Sequence, residues 1–354
     1  MKKVIKQVLG IDVAQKELVV CLGRMFEDVR SELYSHKAFP NTTKGFSTML
    51  QWTKKLTDSN VAVSYVMEAT GVYHEPLAYY LKDHGLIVNI VLPNKISNYA
   101  KSLTVKTVTD KTASEAIALF GLERHLEQWN KPSPLYKKMK QLTRERDQII
   151  GERTVVKNQF HAEKSEAEPN KTSLARIKKR IMLLDKQEKE IMAELSELVS
   201  ADEKIHKTVS LLCSLPGVGL LTATIVLGET SGFDLIRNKR QLSSYAGLDV
   251  QEKESGTSVK GKPRISKKGN RFLRKAMHLP ALSCKRNDEY FNNIFTRLLS
   301  RPGVKMKAIV PLQRRLLEMM YTLYKTNKEY DKNYSKNHVP ELLESIHNKG
   351  VNKN

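Results

Sequence analysis

The sequence predicts an α/β domain followed by an all-helical half, and three observations point there. Residues 1–130 alternate β-rich apolar runs with amphipathic stretches. From 132 to 200 glycine nearly vanishes, and Lys, Arg, Glu and Gln surround apolar residues spaced seven apart. From about 205, short helical segments are separated by glycine-containing turns. The boundaries that follow are 1–130, 131–204 and 205–330, with a polar tail over 331–354.

"VIKQVLG" (4–10) and "KELVVCLG" (17–23) read as two strands joined by a tight connection, with a third within 29–39. Asn41 and Thr42 lead into a helix over 43–56. "VAVSYVMEATG" (61–71) is a β-rich run in which the strand ends at Glu68. "HEPLAYYLKDHG" (74–85) is a helix closed by Gly85, and "LIVNIVLP" (86–93) is a buried strand ended by Pro93. Helices then fill 94–102 and 110–129, the second capped by Thr109. Hairpin strands followed by alternating helices and strands describe a mixed sheet with helices around it.

Leu142, Ile149 and Val156 recur at seven-residue spacing, and after "EPN" at 168–170 so do Leu184, Ile191 and Leu198. Two long helices broken at Pro169 predict an antiparallel coiled-coil hairpin, serving as an oligomerisation or RNA-gripping arm. "SLPGVGLLTATIVLGE" (214–229) is a helix end, a Pro-Gly-Val-Gly turn and a new helix. Main-chain N–H groups at Gly217 and Gly219 suit a phosphate, the pattern of a helix-hairpin-helix that grips nucleic-acid backbone. The plainer alternative is that the glycines only end one helix and start the next.

Lys and Arg number 60 against 38 Asp and Glu, a formal net charge of +22. Such an excess points to a polyanion partner, foremost nucleic acid. Cys21, Cys213 and Cys284 are odd in number and far apart, which argues for a reducing compartment and against a zinc ribbon. The basic N-terminus meets Asp12 before any signal-length apolar run, and no segment reaches membrane-spanning length, so a cytoplasmic protein with no membrane partner is expected.

Acidic residues mark the first chemical centre. Asp12 lies just past an apolar strand, Glu68 ends another, and Asp110 begins a helix after the last strand. A single carboxylate at a strand end is commonly a solvated turn residue or a cap. Three of them on a sheet of this order match a ribonuclease-H-like fold, in which such acids converge. Hard oxygen donors there suit Mg2+, and paired magnesium ions can clamp the attacking and leaving oxygens of a phosphodiester.

The second centre is "QEKESGTSVKGKPRISKKGNRFLRKAMH" (251–278). Residues 253–275 hold nine Lys and Arg against the single Glu254, with Gly256, Gly261 and Gly269 interspersed. Ser255, Ser258 and Ser266 sit among them. A serine there could bind a phosphate or attack one. Composition alone does not separate the two.

"GIDVAQKELVV", "MEATGVYHEPLAYYL", "TDKTASEAIALFG", "SLPGVGLLTATIVLGE", "LSSYAGL", "ESG" and "ISKKGNRFLRKA" occur in that order between about residue 8 and residue 285. Together they resemble the DEDD-type insertion-sequence transposases, the bridge-RNA-guided serine recombinases. The resemblance implies a Holliday-resolvase-type N-terminal domain, a coiled-coil connection and a small C-terminal helical transposase domain. It implies a structured guide RNA, target and donor DNA, and a homo-oligomer (dimer or tetramer) in which the acids of one subunit meet the serine of another.

By that resemblance Asp12, Glu68 and Asp110 are the first three acids, holding Mg2+. The fourth belongs three residues after the third, in a T-D-x-x-D pattern, where this chain has Ala113. Ser114 is neutral and Glu115 leaves from another side of the helix, so both are poor substitutes. The serine of the "SG" step, Ser255, is the implied nucleophile, with Ser258 second. Lys260, Lys262, Arg264, Lys267, Lys268, Arg271 and Arg274 are the implied phosphate contacts, and Tyr73 and His74 support Glu68. The implied reaction is metal-assisted attack of Ser255 on DNA, a phosphoserine intermediate, strand exchange and re-ligation, impaired here by Ala113. The alternatives are a metal-dependent junction-resolving nuclease without a covalent intermediate, and a non-catalytic nucleic-acid scaffold.

Overall fold

The computed structural model describes residues 3–69, 71–103, 109–251, 254–255, 259–260, 264–300 and 305–333. They form two compact units, divided between Lys131 and Pro132.

The first unit is a five-stranded mixed sheet with helices around it. Strands β1 (Val4–Val13), β2 (Glu17–Phe26) and β3 (Ser31–Pro40) run antiparallel in succession. Helix α1 (Thr43–Leu56) follows, capped by the Thr42 hydroxyl, which accepts from the Gly45 N–H. Strand β4 (Val63–Glu68) then pairs parallel to β1. Helix α2 (Glu75–Asp83) leads to β5 (Ile87–Val91), parallel to β4. The strand order is β3-β2-β1-β4-β5, the mixed sheet that hairpin strands followed by α/β units require. Helices α3 (Pro93–Ser102) and α4 (Asp110–Glu123) complete the unit.

Two boundaries depart from the sequence expectation. Strand β1 continues to Val13, so Asp12 lies inside it, opposite Val19, and not past its end. Helix α4 stops at Glu123 and not at 129. The Lys6 ammonium donates to the carbonyls of Leu122 and Arg124, satisfying the helix end from β1. The chain beyond turns to cover the edge of β5, where the Trp129 N–H donates to the Val88 carbonyl and Asn89 Nδ2 to that of Glu127. An edge strand with open main-chain groups outcompetes another helical turn.

The second unit is helical. Helices α5 (Pro134–Lys164) and α6 (Lys171–Ser200) pack antiparallel along Leu142, Ile149, Val156, Ile177, Leu184, Ile191 and Leu195. Arg153 Nη1 bonds Asp185 at 2.7 Å and also reaches Glu188, which Arg146 Nη2 holds from the other side at 2.5 Å. Asn170 caps α6 through the N–H groups of Thr172 and Ser173. Then come α7 (Glu203–Cys213), α8 (Leu220–Thr230) and α9 (Lys239–Tyr245). Four two-residue strands follow: β6 (Val250–Gln251), β7 (Glu254–Ser255), β8 (Val259–Lys260) and β9 (Arg264–Ile265). Helices α10 (Arg271–Ala276), α11 (His278–Asn287), α12 (Glu289–Leu299) and α13 (Lys305–Thr326) close the unit around a core that includes Phe233, Leu273, Phe291 and Leu316. Among the described residues, no helix is long and apolar enough to cross a membrane.

Candidate active site

The acidic centre is built by β1, β4 and α4. Because β1 and β4 are parallel, with Ile11 beside Met67, Asp12 and Glu68 leave the sheet at the same end. Helix α4 runs back along β1. A Cβ at Gly10 would lie 2.4 Å from the Ala118 nitrogen and 2.5 Å from the Ser114 oxygen, and one at Gly121 would lie 2.8 Å from Val8 Cγ1. Glycine at position 10 lets strand and helix touch main chain to main chain, and glycine at 121 leaves room for the Val8 and Val66 side chains. With Lys6 at residues 122 and 124, and Gly10 at 114 and 118, the start of α4 falls at Asp12.

Asp110 is the first residue of α4, behind a reciprocal cap. The Thr109 hydroxyl accepts from the Thr112 N–H, and the Thr109 N–H donates to the Thr112 hydroxyl. Burial pushes the Asp12 carboxyl up to about 6, and the charges of Asp110 and Glu68 add to the rise. A hydrogen bond from the Val13 N–H opposes it. Two of the predicted acids therefore act on the third. Among the described residues, no three His, Cys, Asp or Glu side chains are drawn together tightly enough to enclose a metal ion. Asp12, Glu68 and Asp110 nonetheless fit Mg2+ in donor chemistry, because a hard divalent cation relieves the repulsion that lifts Asp12.

Ser114 and Glu115, which follow Ala113, are both engaged elsewhere. Ser114 is fully buried against β1, and its hydroxyl donates to the Lys111 carbonyl at 2.7 Å. Glu115 pairs with His36 Nε2 at 2.9 Å, over β3. Ala113 itself is half-buried, one turn on from Asp110.

Asn41 is a site-shaping residue that the sequence pattern shows only as a helix entry. Its Nδ2 donates to the Ala14 carbonyl at 2.9 Å and the Tyr73 carbonyl at 3.2 Å. It thereby ties the turn after Asp12 to the loop after Glu68. His74 precedes α2, and burial lowers its pKa below the ordinary histidine value, leaving a neutral imidazole at pH 7. Tyr73 is exposed.

A raised carboxyl pKa has a measurable consequence. Folded Asp12 keeps its proton to higher pH than an unfolded aspartate, so the fold loses stability as pH rises from about 4 to about 6. Discounted for partial exposure, the loss is about 1–2 kcal/mol. Without divalent ions, Asp12→Asn is expected to raise the unfolding midpoint at pH 7.5 by about 3–6 °C and to leave it unchanged at pH 4. Equal shifts at both pH values in a thermal melt would show that the fold does not raise the Asp12 pKa.

In the second unit, Ser255 lies on β7, opposite Val259 of β8, and Lys260 is next on β8, opposite Glu254. Ser258, Lys262, Gly256 and Gly261 lie outside the described residues. The base of this excursion is β6 paired with β9, Gln251 opposite Arg264. Ser266 closes it and is thus a structural serine: its hydroxyl donates to Asp249 Oδ1 at 2.5 Å, and its N–H to the Asp249 carbonyl. Arg264, Lys267, Lys268 and Arg271 are exposed. Arg274 is partly committed inside, donating from Nη1 to the Ala246 carbonyl at 2.7 Å. At the α7–α8 turn, Gly217 has φ +81° and faces Ser283 and Pro280 of α11, whereas nothing lies within 4 Å of a Cβ at Gly219, which begins α8.

Residues 9–163 match a family model described as Transposase, of DEDD IS110 type, and residues 209–295 match Transposase IS116/IS110/IS902 family. The chain is 28% identical over 335 residues to the pilin gene-inverting protein of Moraxella lacunata, spanning 92% of this chain and 98% of that protein. It is 29% identical over 145 residues to an uncharacterized 43.6 kDa protein of insertion element IS110 from Streptomyces coelicolor, covering 41% of this chain and 35% of that one. Among solved structures, Thermus thermophilus RuvC in complex with a Holliday junction substrate is similar over 35% of this chain and 99% of its own, at 10% identity and a TM-score of 0.27. The two family models lie in order along the chain and together span more than half of it, one over the sheet and α5, the other over the helices that flank Ser255: the chain belongs to the IS110 family of DEDD transposases.

Proposed function

We propose that this chain is the RNA-guided DNA recombinase of an insertion sequence, acting through Ser255. The observation that carries the reading is the placement of Asp12 and Glu68 at one end of the sheet, with the charges of Glu68 and Asp110 both bearing on Asp12, in a transposase-family chain of net charge +22. Three carboxylates set against one another are costly without a cation and useful with one.

In the proposed reaction the Ser255 hydroxyl oxygen forms a bond to a DNA phosphorus. The P–O3′ bond breaks, and the serine proton ends on the departing 3′ oxygen. The product is a phosphoserine link and a free 3′-hydroxyl. Attack of another 3′-hydroxyl on that link regenerates the serine and joins exchanged strands without hydrolysis. Mg2+, when bound, supplies positive charge to the phosphate and the leaving oxygen, and Asp12, Glu68 and Asp110 would hold it. Exposed Arg264, Lys267, Lys268 and Arg271, with Lys260 and Lys262, keep the DNA backbone in place. The α7–α8 turn at Gly217 and Gly219 grips backbone as a helix-hairpin-helix, and the α5–α6 hairpin, as a coiled coil, holds the guide RNA or a second copy of the chain. The acids of one subunit serve the serine of another.

Ala113 favours a second outcome for this particular chain: it assembles with RNA and DNA but exchanges strands poorly. The partner class is tested by salt. Structured RNA is expected to bind tightly at 50 mM salt and to lose on the order of 10³-fold in affinity by 200 mM, as 6–10 phosphate contacts release their counterions. A filter-binding titration in which affinity barely changes would remove RNA as the partner of the basic surface.

A further inference from the structure

The second unit buries a carboxylate that the reaction above leaves unused. Glu229, on α8, is 1% exposed. Arg144 of α5 grips it with two bonds, Nε to Oε1 at 2.7 Å and Nη2 to Oε2 at 2.9 Å. Asn270 Nδ2 donates to the same Oε2 at 2.7 Å. Asn270 also sits where the serine-bearing excursion ends. Its Oδ1 accepts from the N–H groups of Phe272 and Leu273, capping α10, and its own N–H donates to the Tyr245 carbonyl at 2.7 Å. The Tyr245 hydroxyl returns to the Glu229 main-chain carbonyl at 3.0 Å. Around this knot the Arg144 guanidinium lies 4.4 Å from the Phe272 ring centre, and Lys275 pairs with Asp147 of α5.

Both ends of the loop are therefore referred to Glu229: Tyr245 before β6 to its main-chain carbonyl, and Asn270 after β9 to its carboxylate. The same anion is held from α5, the first helix of the long hairpin. A fully buried carboxylate survives only with its hydrogen bonds filled, and here every named donor belongs to the hairpin or to the loop base.

We propose that Glu229 is a positioning residue, through which Arg144 and Asn270 lock the base of the loop carrying Ser255 to helix α5. Whatever nucleic acid or protein seats the hairpin thereby also sets the orientation of the serine. The inference rests on Ser255 as nucleophile, and it is tested by one readout that needs that role and one that does not.

The first readout is amide hydrogen exchange at Ser266, Lys267 and Asn270, whose N–H groups bond Asp249, Gly247 and Tyr245. The second is the rate of covalent DNA adduct formation at saturating DNA in full-length Ala113→Asp protein. Asn270→Ser keeps a capping hydroxyl but cannot reach Glu229. It is expected to speed exchange at least about tenfold and to slow adduct formation by about the same factor with DNA affinity unchanged. Asn270→Asp faces Glu229 with a second acceptor and is expected to do worse. Adding Glu229→Gln to Asn270→Asp reverses donor and acceptor and is expected to bring both readouts back toward the parent. A purely structural contact would lower the melting temperature without this reciprocal rescue. Exchange in Asn270→Ser equal to the parent, or a double variant no better than Asn270→Asp, would overturn the proposal. Normal rescue of exchange with no adduct in any protein would sink Ser255 as nucleophile while still supporting the tether.

Discussion

Ala113→Asp is expected to raise magnesium-dependent strand exchange by on the order of a hundredfold or more, given what loss of a metal-site residue costs. Position 113 lies one turn beyond Asp110 on α4, on the helix whose start meets Asp12. The neighbours are already spent: Ser114 bonds the Lys111 carbonyl under β1, and Glu115 pairs with His36. The substitution should not disturb the fold. Alanine is the better helix former by a few tenths of a kcal/mol, but an acid near a helix N-terminus recovers a comparable amount, and Ala113 is only half-buried. Without magnesium, a fourth carboxylate adds repulsion and should lift the Asp12 pKa further; with magnesium, the order of stability should reverse. The check is a recombination assay of both proteins with the same RNA and DNA, beside melts with and without magnesium. Equal and robust exchange by the parent would show that residue 113 is not a ligand position.

In the restored background, Ser255→Ala is expected to cut the covalent protein–DNA adduct by on the order of 10³-fold or more, as removal of a nucleophile does. RNA binding should stay within about twofold, because a serine hydroxyl contributes little to a salt-dependent, phosphate-dominated affinity. Ser255 sits on a two-residue strand of an excursion whose base is held by Ser266, Asp249 and Gly247, so loss of its hydroxyl leaves those bonds intact. Denaturing gels with end-labelled DNA report the adduct. Survival of the adduct in Ser255→Ala, with loss in Ser258→Ala, would move the chemistry to residue 258. No adduct in any variant, alongside metal-dependent cleavage, would make the enzyme a nuclease.

Much of this molecule is legible in the order of its residues. Alternation and turn chemistry place five strands and the surrounding helices, because the face each run buries is a local property. Glu68 and Asp110 stand out at a strand end and a helix start, where a carboxylate is neither needed for packing nor excluded by it, whereas Asp12 proves to lie within β1. The seven-residue spacing of Leu142, Ile149 and Val156 announces a helix that must lie against another. The charge of +22 names a class of partner.

Other features depend on contacts between residues far apart in the chain. Helix α4 ends at Glu123 because Lys6, 116 residues before Leu122, meets the carbonyls of Leu122 and Arg124 and because the edge of β5 takes the following segment. Ser114 and Glu115 read from the sequence as poor substitutes for an acid, and the tertiary structure adds what holds each of them, the Lys111 carbonyl beneath β1 and His36. Asn41 reads as a helix entry until Ala14 and Tyr73 are brought to its amide. Glu229 sits in a helix of otherwise apolar character and gives no signal of Arg144, 85 residues before it, or of Asn270, 41 after. The sequence by itself determined most of the strands and long helices and the excess of positive charge, since the first are set by neighbours a few residues away and the second is composition. Only the tertiary structure decided which carboxylates repel one another and which serine is a clamp, because hydrogen bonds and buried charge act over a few ångströms in space, whatever the separation along the chain.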